Sequence, residues 1–458
     1  MKCSIIPNRK LALVLLAGIA FSSCEKLLEI PPAVNQITKE QLFTDSATIA
    51  SNMTGLYSSG LLAGEVSLYP EMMFGLAGDE LILSNPGIIW NVFYQNAYRP
   101  TTSLLSGLWT QPYAAIYHAN GFLENLPASN AISDRLKKQY IAEAKFMRAF
   151  EYLVLTNYFG DVPLIMSTDV DANATLPRSP RVKVTEQMMK DLTEAIPDLQ
   201  DQTNLTRANP YAAYALLARL YLFQKNWAKA SEMASKAMEG PFKLETDLSK
   251  AFLRGSRESI LAASSQAGGG NYTDITRWAV MLAPGTSTRT APNYILQPGL
   301  IAAFETADKR KTAWTTTRTV NGKQYTCGFK YKLKTMSASS QEDYIFLRLP
   351  EQMLIKAEAM AELNDLDEAR KFTDTVRTRA GLSKLPDNSS KSDILAAIEK
   401  ERITELFMEG DRWPYLFHKG SLDDVMSQLK SNWKPAYKLF PVPQTERINN
   451  PNLSQNDY

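Results

Sequence analysis

The sequence predicts a mainly α-helical protein in which helix–turn–helix pairs form a scaffold, with long loop-rich insertions and a few short strands. Three observations carry that expectation. Apolar residues recur at three- and four-residue spacing over long stretches, as one face of a helix requires. Two segments, "ALLARLYLFQKNWAKASEMASKAM" and "MLIKAEAMAELNDLDEARKFTDTVRTRAG", share one pattern of large and small residues around a short turn. Between them, roughly Leu244–Arg348, the chain turns rich in Gly, Thr, Ser, Pro and aromatics, as in "QAGGGNY" and "APGTSTRTAPNY". That composition reads as loops with occasional strands.

In chain order, Arg9 and Lys10 precede an apolar run, Leu11–Phe21, followed by Ser22, Ser23 and Cys24. The run is too short to cross a hydrocarbon core, which needs ~20 helical residues. It has the length of a secretory signal's central region. With cysteine at the cleavage point, the pattern resembles a bacterial lipoprotein signal: residues 1–23 are removed and Cys24 is acylated. A tether follows over 24–36, where Pro31 and Pro32 disfavour helix, and one domain is expected over 37–458. The spacing predicts helices at Lys39–Ser59, at Thr102–Leu126 (Leu105, Trp109, Ile116 and Leu123 along one side) and at Leu136–Phe159. Gly160 and Pro163 would end the last of these. The two matching segments have the spacing of tetratricopeptide hairpins, about 210–239 and 346–381, with "QKNW" and "LNDL" as equivalent turns. Between them, "VNGKQYT" predicts a hairpin around Asn321-Gly322.

Composition narrows the function. The chain has 458 residues, 50 Lys+Arg and 48 Asp+Glu. Residues 1–23 carry Lys2, Arg9 and Lys10 and no acid, so loss of the signal leaves 47 against 48. No basic block remains to attract nucleic acid. Of three cysteines, only Cys327 lies beyond the anchor, so no intramolecular disulfide is expected in the mature fold. Two histidines, His118 and His418, supply poorly any zinc site or serine triad. "GGG" at Gly268–Gly270 lacks the lysine of a phosphate loop. No metal site or cofactor motif stands out. Asp79-Glu80 in "LAGDELILS" is an acid pair, but nothing marks it above chance as the carboxylate pair of a glycoside hydrolase.

Two stretches are the most specific: "EKERITELFMEGDRWPYLFHKG", read as an amphipathic helix ended by Gly410, and the terminal "LFPVPQTERINNPNLSQNDY". With the lipoprotein-like signal, the hairpins and "AEAKFMRAFEYLVLTNYFGDVPLI", they make the chain resemble the SusD/RagB family across almost its whole length. The family usually continues Arg-Trp with a short residue and Asp-Leu, where Pro414-Tyr415-Leu416 stands here. These motifs look structural. Glu401, Arg402, Glu405 and Glu409 are spaced for helix-surface or cross-helix ion pairs. Arg412 and Trp413 would lock the helix end, and the proline-rich tail would lie across helices as a strap.

The resemblance implies a surface-exposed outer-membrane lipoprotein. It would capture an oligosaccharide or polysaccharide without catalysis and pass it to a SusC-like TonB-dependent transporter. Peptide or another nutrient is the alternative ligand; a helical hydrolase or a purely protein-binding scaffold are the rival classes. Sugar recognition needs aromatic faces for C–H surfaces and amide or carboxyl groups for paired hydroxyls. Two loop clusters offer both. "NPGIIWNVFYQNAYRP" holds Trp90, Asn91, Tyr94, Gln95 and Tyr98; the middle insertion holds Tyr272, Trp278, Tyr294 and Trp314.

Overall fold

The computed structural model describes residues 41–61, 69–200, 205–263, 279, 281–285, 287, 289–333 and 341–458. The signal with Cys24, the tether, Tyr272 and Trp278 lie outside the described residues. Twelve helices of eight or more residues are described: α1 Ser46–Ser59, α2 Tyr69–Ala77, α3 Ser103–Asn125, α4 Asp134–Phe159, α5 Arg181–Ala195, α6 Pro210–Phe223, α7 Trp227–Met238, α8 Leu349–Glu362, α9 Leu366–Arg379, α10 Lys391–Leu406, α11 Arg412–Lys419 and α12 Leu422–Leu429. Six short strands pair in twos, all antiparallel. β1 (Leu81–Leu83) pairs with β3 (Tyr294–Leu296), β2 (Ser259–Ala263) with β6 (Tyr344–Arg348), and β4 (Thr315–Val320) with β5 (Lys323–Gly328).

From α3 to α10 each helix packs on its successor, so the scaffold grows as a stack in sequence order. Small residues set the spacing. Ala215 and Ala218 of α6 are buried facing the pair, as are Ala230, Ala234 and Ala237 of α7, and Ala357, Ala361 and Ala369 of α8 and α9. The two predicted turns match atom for atom. Lys225 (φ +57°) bonds back to Leu222 and Asn226 to Tyr221; Asn364 (φ +65°) bonds back to Ala361 and Asp365 to Met360. The residue after each left-handed position then caps the next helix, Asn226 through Lys229 N–H and Asp365 through Glu368 N–H. Such agreement in caps and turn geometry makes these copies of one unit. The long helix ends at Gly160 (φ +72°) as expected, and Asn321-Gly322, both at positive φ, turn β4 into β5.

The signature helix departs from expectation. It stops at Leu406, four residues before Gly410, and Met408 adopts φ +56°. The reason is tertiary: the Met408 N–H is captured by Glu80 Oε1 at 3.0 Å. Its signature charges, Glu401, Arg402 and Glu405, are buried and pair with partners outside the helix, the cross-helix alternative. Glu405 is fully buried and accepts from Arg310, Arg348 and Arg379. Arg310 also pairs with Asp308 and Glu401, and Arg348 with Glu258 and Glu409. The three guanidiniums hold the Glu405 carboxyl below its ordinary range despite burial. A buried network of this kind adds little over an apolar core but is costly to break on one side. Arg402 is separate, paired with Asp411 and lying over the Tyr415 ring.

The tail is the strap the sequence suggested. Phe440 N–H bonds Tyr158 O, Gln444 N–H bonds Pro100 O, and Asn456 Nδ2 bonds both Phe159 O and Phe440 O. Asn450 and Asn452 reach the carbonyls of Leu176 and Thr175. Trp413 stacks on Phe74 (5.8 Å, 9°), beside the strap.

Candidate functional site

The site begins with β1. Its three residues pair with β3 in the register Leu81↔Leu296, Ile82↔Ile295 and Leu83↔Tyr294. Ser84 N–H continues the ladder to Asn293 O (2.9 Å) and its hydroxyl bonds Pro292 O. The chain leaving β1 at Ser84 and the chain entering β3 through Pro292 and Asn293 are thereby brought together at their roots across some two hundred residues of sequence. The base is rigid. Arg412 grips Asp79 with Nε and Nη2 (3.0 and 2.9 Å), and Glu80 is sealed beneath by Met408 N–H. Burial and the adjacent Asp79 push the Glu80 carboxyl up to about 8.

The first loop is pinned from below. Lys430 Nζ donates to Leu76 O (2.8 Å) and Tyr94 O (3.0 Å), and Asn432 Nδ2 donates to Gln95 O (2.8 Å). Lys430 is mostly buried with no ion pair among the described residues, and burial draws its ammonium down to about 7. Above it, Asn91–Tyr94 form one helical turn, Tyr94 is half-buried, and Ile89 is exposed at the tip (57%). The Asn91 side-chain oxygen has no hydrogen-bond partner among the described residues. The second loop encloses a cavity of about 270 Å³, lined by Leu282, Pro284, Ser287, Thr290, Asn293 and Tyr294 among others. That is slightly under the ~300 Å³ at which small-molecule pockets begin, room for a ring and not for a chain.

Of the sequence-predicted residues, Trp90, Asn91 and Tyr94 share this first loop, Tyr98 follows it, and Tyr294 stands at the root of the second. Not all can meet a ligand. Trp90 is buried edge-on against Tyr69 (5.0 Å, 69°). Tyr98 is fully buried, its hydroxyl given to Tyr437 O and its ring against Phe440 (4.9 Å). Trp314 is a correction: it lies deep in the core, its N–H on Leu248 O (2.9 Å) and its ring beside Lys330, Arg348 and Arg379. Those cations need its π face to offset their burial, so it is a packing residue. Tyr294 is also buried, which raises its phenol well above the usual range. Among the described residues, Asn91, Tyr94 and the exposed Gln95 remain from the prediction, with Tyr294 buried yet lining the cavity. Ile89, Asn293 and the pinning Lys430 were missed; an exposed isoleucine beside a tryptophan was the only local sign.

Comparisons with known proteins agree with this architecture. A family described as "Starch-binding associating with outer membrane" matches residues 28–222, and the SusD family matches residues 279–417. The chain belongs to the SusD/RagB family. The SusD-like protein P25 of Formosa agariphila is 24% identical, with 95% of each chain covered. Among solved structures, a SusD-like protein from Bacteroides fragilis superposes with TM-score 0.77 at 19% identity, covering 92% of this chain and 98% of that one. A laminarin-binding SusD-like protein gives 0.76 at 22% identity, covering 90% and 99%. These likenesses establish the mainly α SusD-like fold. Within this SusD-like chain, both signature stretches serve the site indirectly: Arg412 fixes the root of β1, and Phe440, together with Tyr437 just before the terminal stretch, buries Tyr98.

Proposed function

We propose that this SusD-like chain is a non-catalytic receptor for oligosaccharide or polysaccharide at the outer-membrane surface. In this reading, Cys24 carries the lipid, one domain spans residues 37–458, and bound glycan passes to a SusC-like TonB-dependent transporter. The observation that carries it is the β1–β3 pairing, which roots the loop bearing Asn91, Tyr94 and the exposed Ile89 in the same ladder as the polar cavity that Tyr294 and Asn293 help to line. An apolar surface facing hydroxyl and amide groups is the chemistry a sugar needs. The family described as starch-binding and the laminarin-binding neighbour favour glycan over peptide. Among the described residues no helix is long and apolar enough to cross a membrane, in keeping with attachment by lipid.

Hydrolysis is disfavoured by the fate of the acid pair Asp79-Glu80 at the root of β1. Asp79 is held by Arg412, and Glu80 is buried with its oxygen on a backbone N–H, so neither reaches the cavity. The test is calorimetric titration of the chain from residue 25 onward against plant, host and microbial oligosaccharides, with product analysis of each mixture. Saturable binding of intact sugar, weakened by Tyr94→Ala, is the expected result. Cleaved sugar would refute the receptor reading, and binding of peptides alone would refute the glycan.

A further inference from the structure

A second cavity, of about 430 Å³, opens between α3, the loop of residues 163–174 and the short helix Gln444–Asn449 of the strap. Its floor is half-buried Tyr113, whose hydroxyl is tied to Pro163 O (2.8 Å), and the edge of Trp109, with ring centres 5.3 Å apart. The Trp109 indole N–H makes no hydrogen bond among the described residues. Facing it is Glu446, half-buried without any ion pair among the described residues, its carboxyl pushed up by burial. Asn173 lines the cavity and gives its amide N–H to Ser167 O (2.9 Å), and Asn449 is exposed with its amide uncommitted among the described residues. Val170, one turn before Asn173, and Ile448, beside Asn449, are among the most exposed apolar residues of the chain (66% and 71%).

The wall thus holds a carboxylate that Thr445 bonds but no cation pairs among the described residues, together with side-chain amides, the edge of an indole and an apolar floor, and its lining has no Lys, Arg or His. Without a cation it discriminates against acidic ligands, and a lone carboxylate with amides is suited to adjacent neutral hydroxyls. We propose that this pocket is a second carbohydrate subsite, distinct from the β1–β3 face, which takes a neutral hexose unit of the same glycan. The proposal rests on the glycan-binding reading. Two subsites on one chain would favour long glycans over short ones, since the second contact forms at high effective concentration.

The test uses the full chain in detergent with 5-fluorotryptophan incorporated, assigned by Trp90→Phe and Trp109→Phe, and titrated with laminariheptaose and with maltoheptaose. The Trp109 resonance should shift saturably with at least one of them. Glu446→Gln at the half-buried wall, combined with Asn449→Ala at the exposed rim, should raise the Trp109 midpoint about tenfold or more, as lost charge-assisted bonds do, and leave the Trp90 midpoint unmoved. A Trp90 shift alone overturns the second subsite while the first site stands. A Trp109 shift alone supports the pocket. A Trp109 shift indifferent to the double variant, or silence from both resonances, overturns the pocket as a hexose site.

Discussion

Glu80→Gln isolates one buried proton beneath the candidate site. Glu80 is 5% exposed and its oxygen accepts Met408 N–H, a bond that a glutamine oxygen reproduces. With the folded carboxyl at about 8 against the ordinary 4.5, the folded chain keeps a proton that the unfolded chain releases. Stability from this group is therefore complete below 4.5 and is lost as pH rises toward 8. At ~1.4 kcal/mol per pH unit, the loss between pH 5 and pH 8 amounts to about 3–4 kcal/mol. Glutamine does not titrate, so the variant should gain that amount relative to the parent over the same interval. For a chain of this size, unfolding entropy near 2.1 cal/mol/K per residue converts this to about 4 °C. Thermal unfolding of both proteins at pH 5, 6, 7 and 8 reads it directly, because every other titrating group cancels in the difference. Parallel curves would mean that Glu80 is ionised in the fold, and the reasoning about the sealed base would fail.

Other expectations follow from the same geometry. Glu405→Gln leaves Arg310, Arg348 and Arg379 short of their shared carboxylate, and denaturant unfolding should show a loss of about 3–5 kcal/mol. Lys225→Asn places at φ +57° the residue type that already holds the equivalent turn at Asn364; a gain of roughly 0.5–1 kcal/mol is expected in the same assay. Lys430→Met releases the carbonyls of Leu76 and Tyr94. Amide exchange should speed up through residues 91–97, and glycan affinity should fall about tenfold, while α6–α9 keep their protection.

The scaffold was legible because its information is local. Helical spacing, an alanine at each close approach, and a turn with its cap are written within thirty residues, and the two hairpins repeat them. The Asn321-Gly322 turn was equally local. The site was legible only in part, since its assembly depends on partners far along the chain. Three-residue β1 has no signature that points to β3. Trp314 sits in a Thr-rich stretch that reads as loop, yet the cations that bury it come from residues 330, 348 and 379. Tyr98 looked available until the strap, at residues 437 and 440, covered it. Even the end of α10 was set by Glu80, which no reading of the helix itself would supply.

The central claim is that β1 and β3 assemble a glycan site from two distant loops. A crystal structure of the chain with an oligosaccharide that binds in solution tests it most directly. Sugar density between Asn91–Tyr94 and residues 281–294, with a ring against Tyr94 or Ile89, is the result expected. An ordered sugar elsewhere on the molecule, with this face bare, would contradict it.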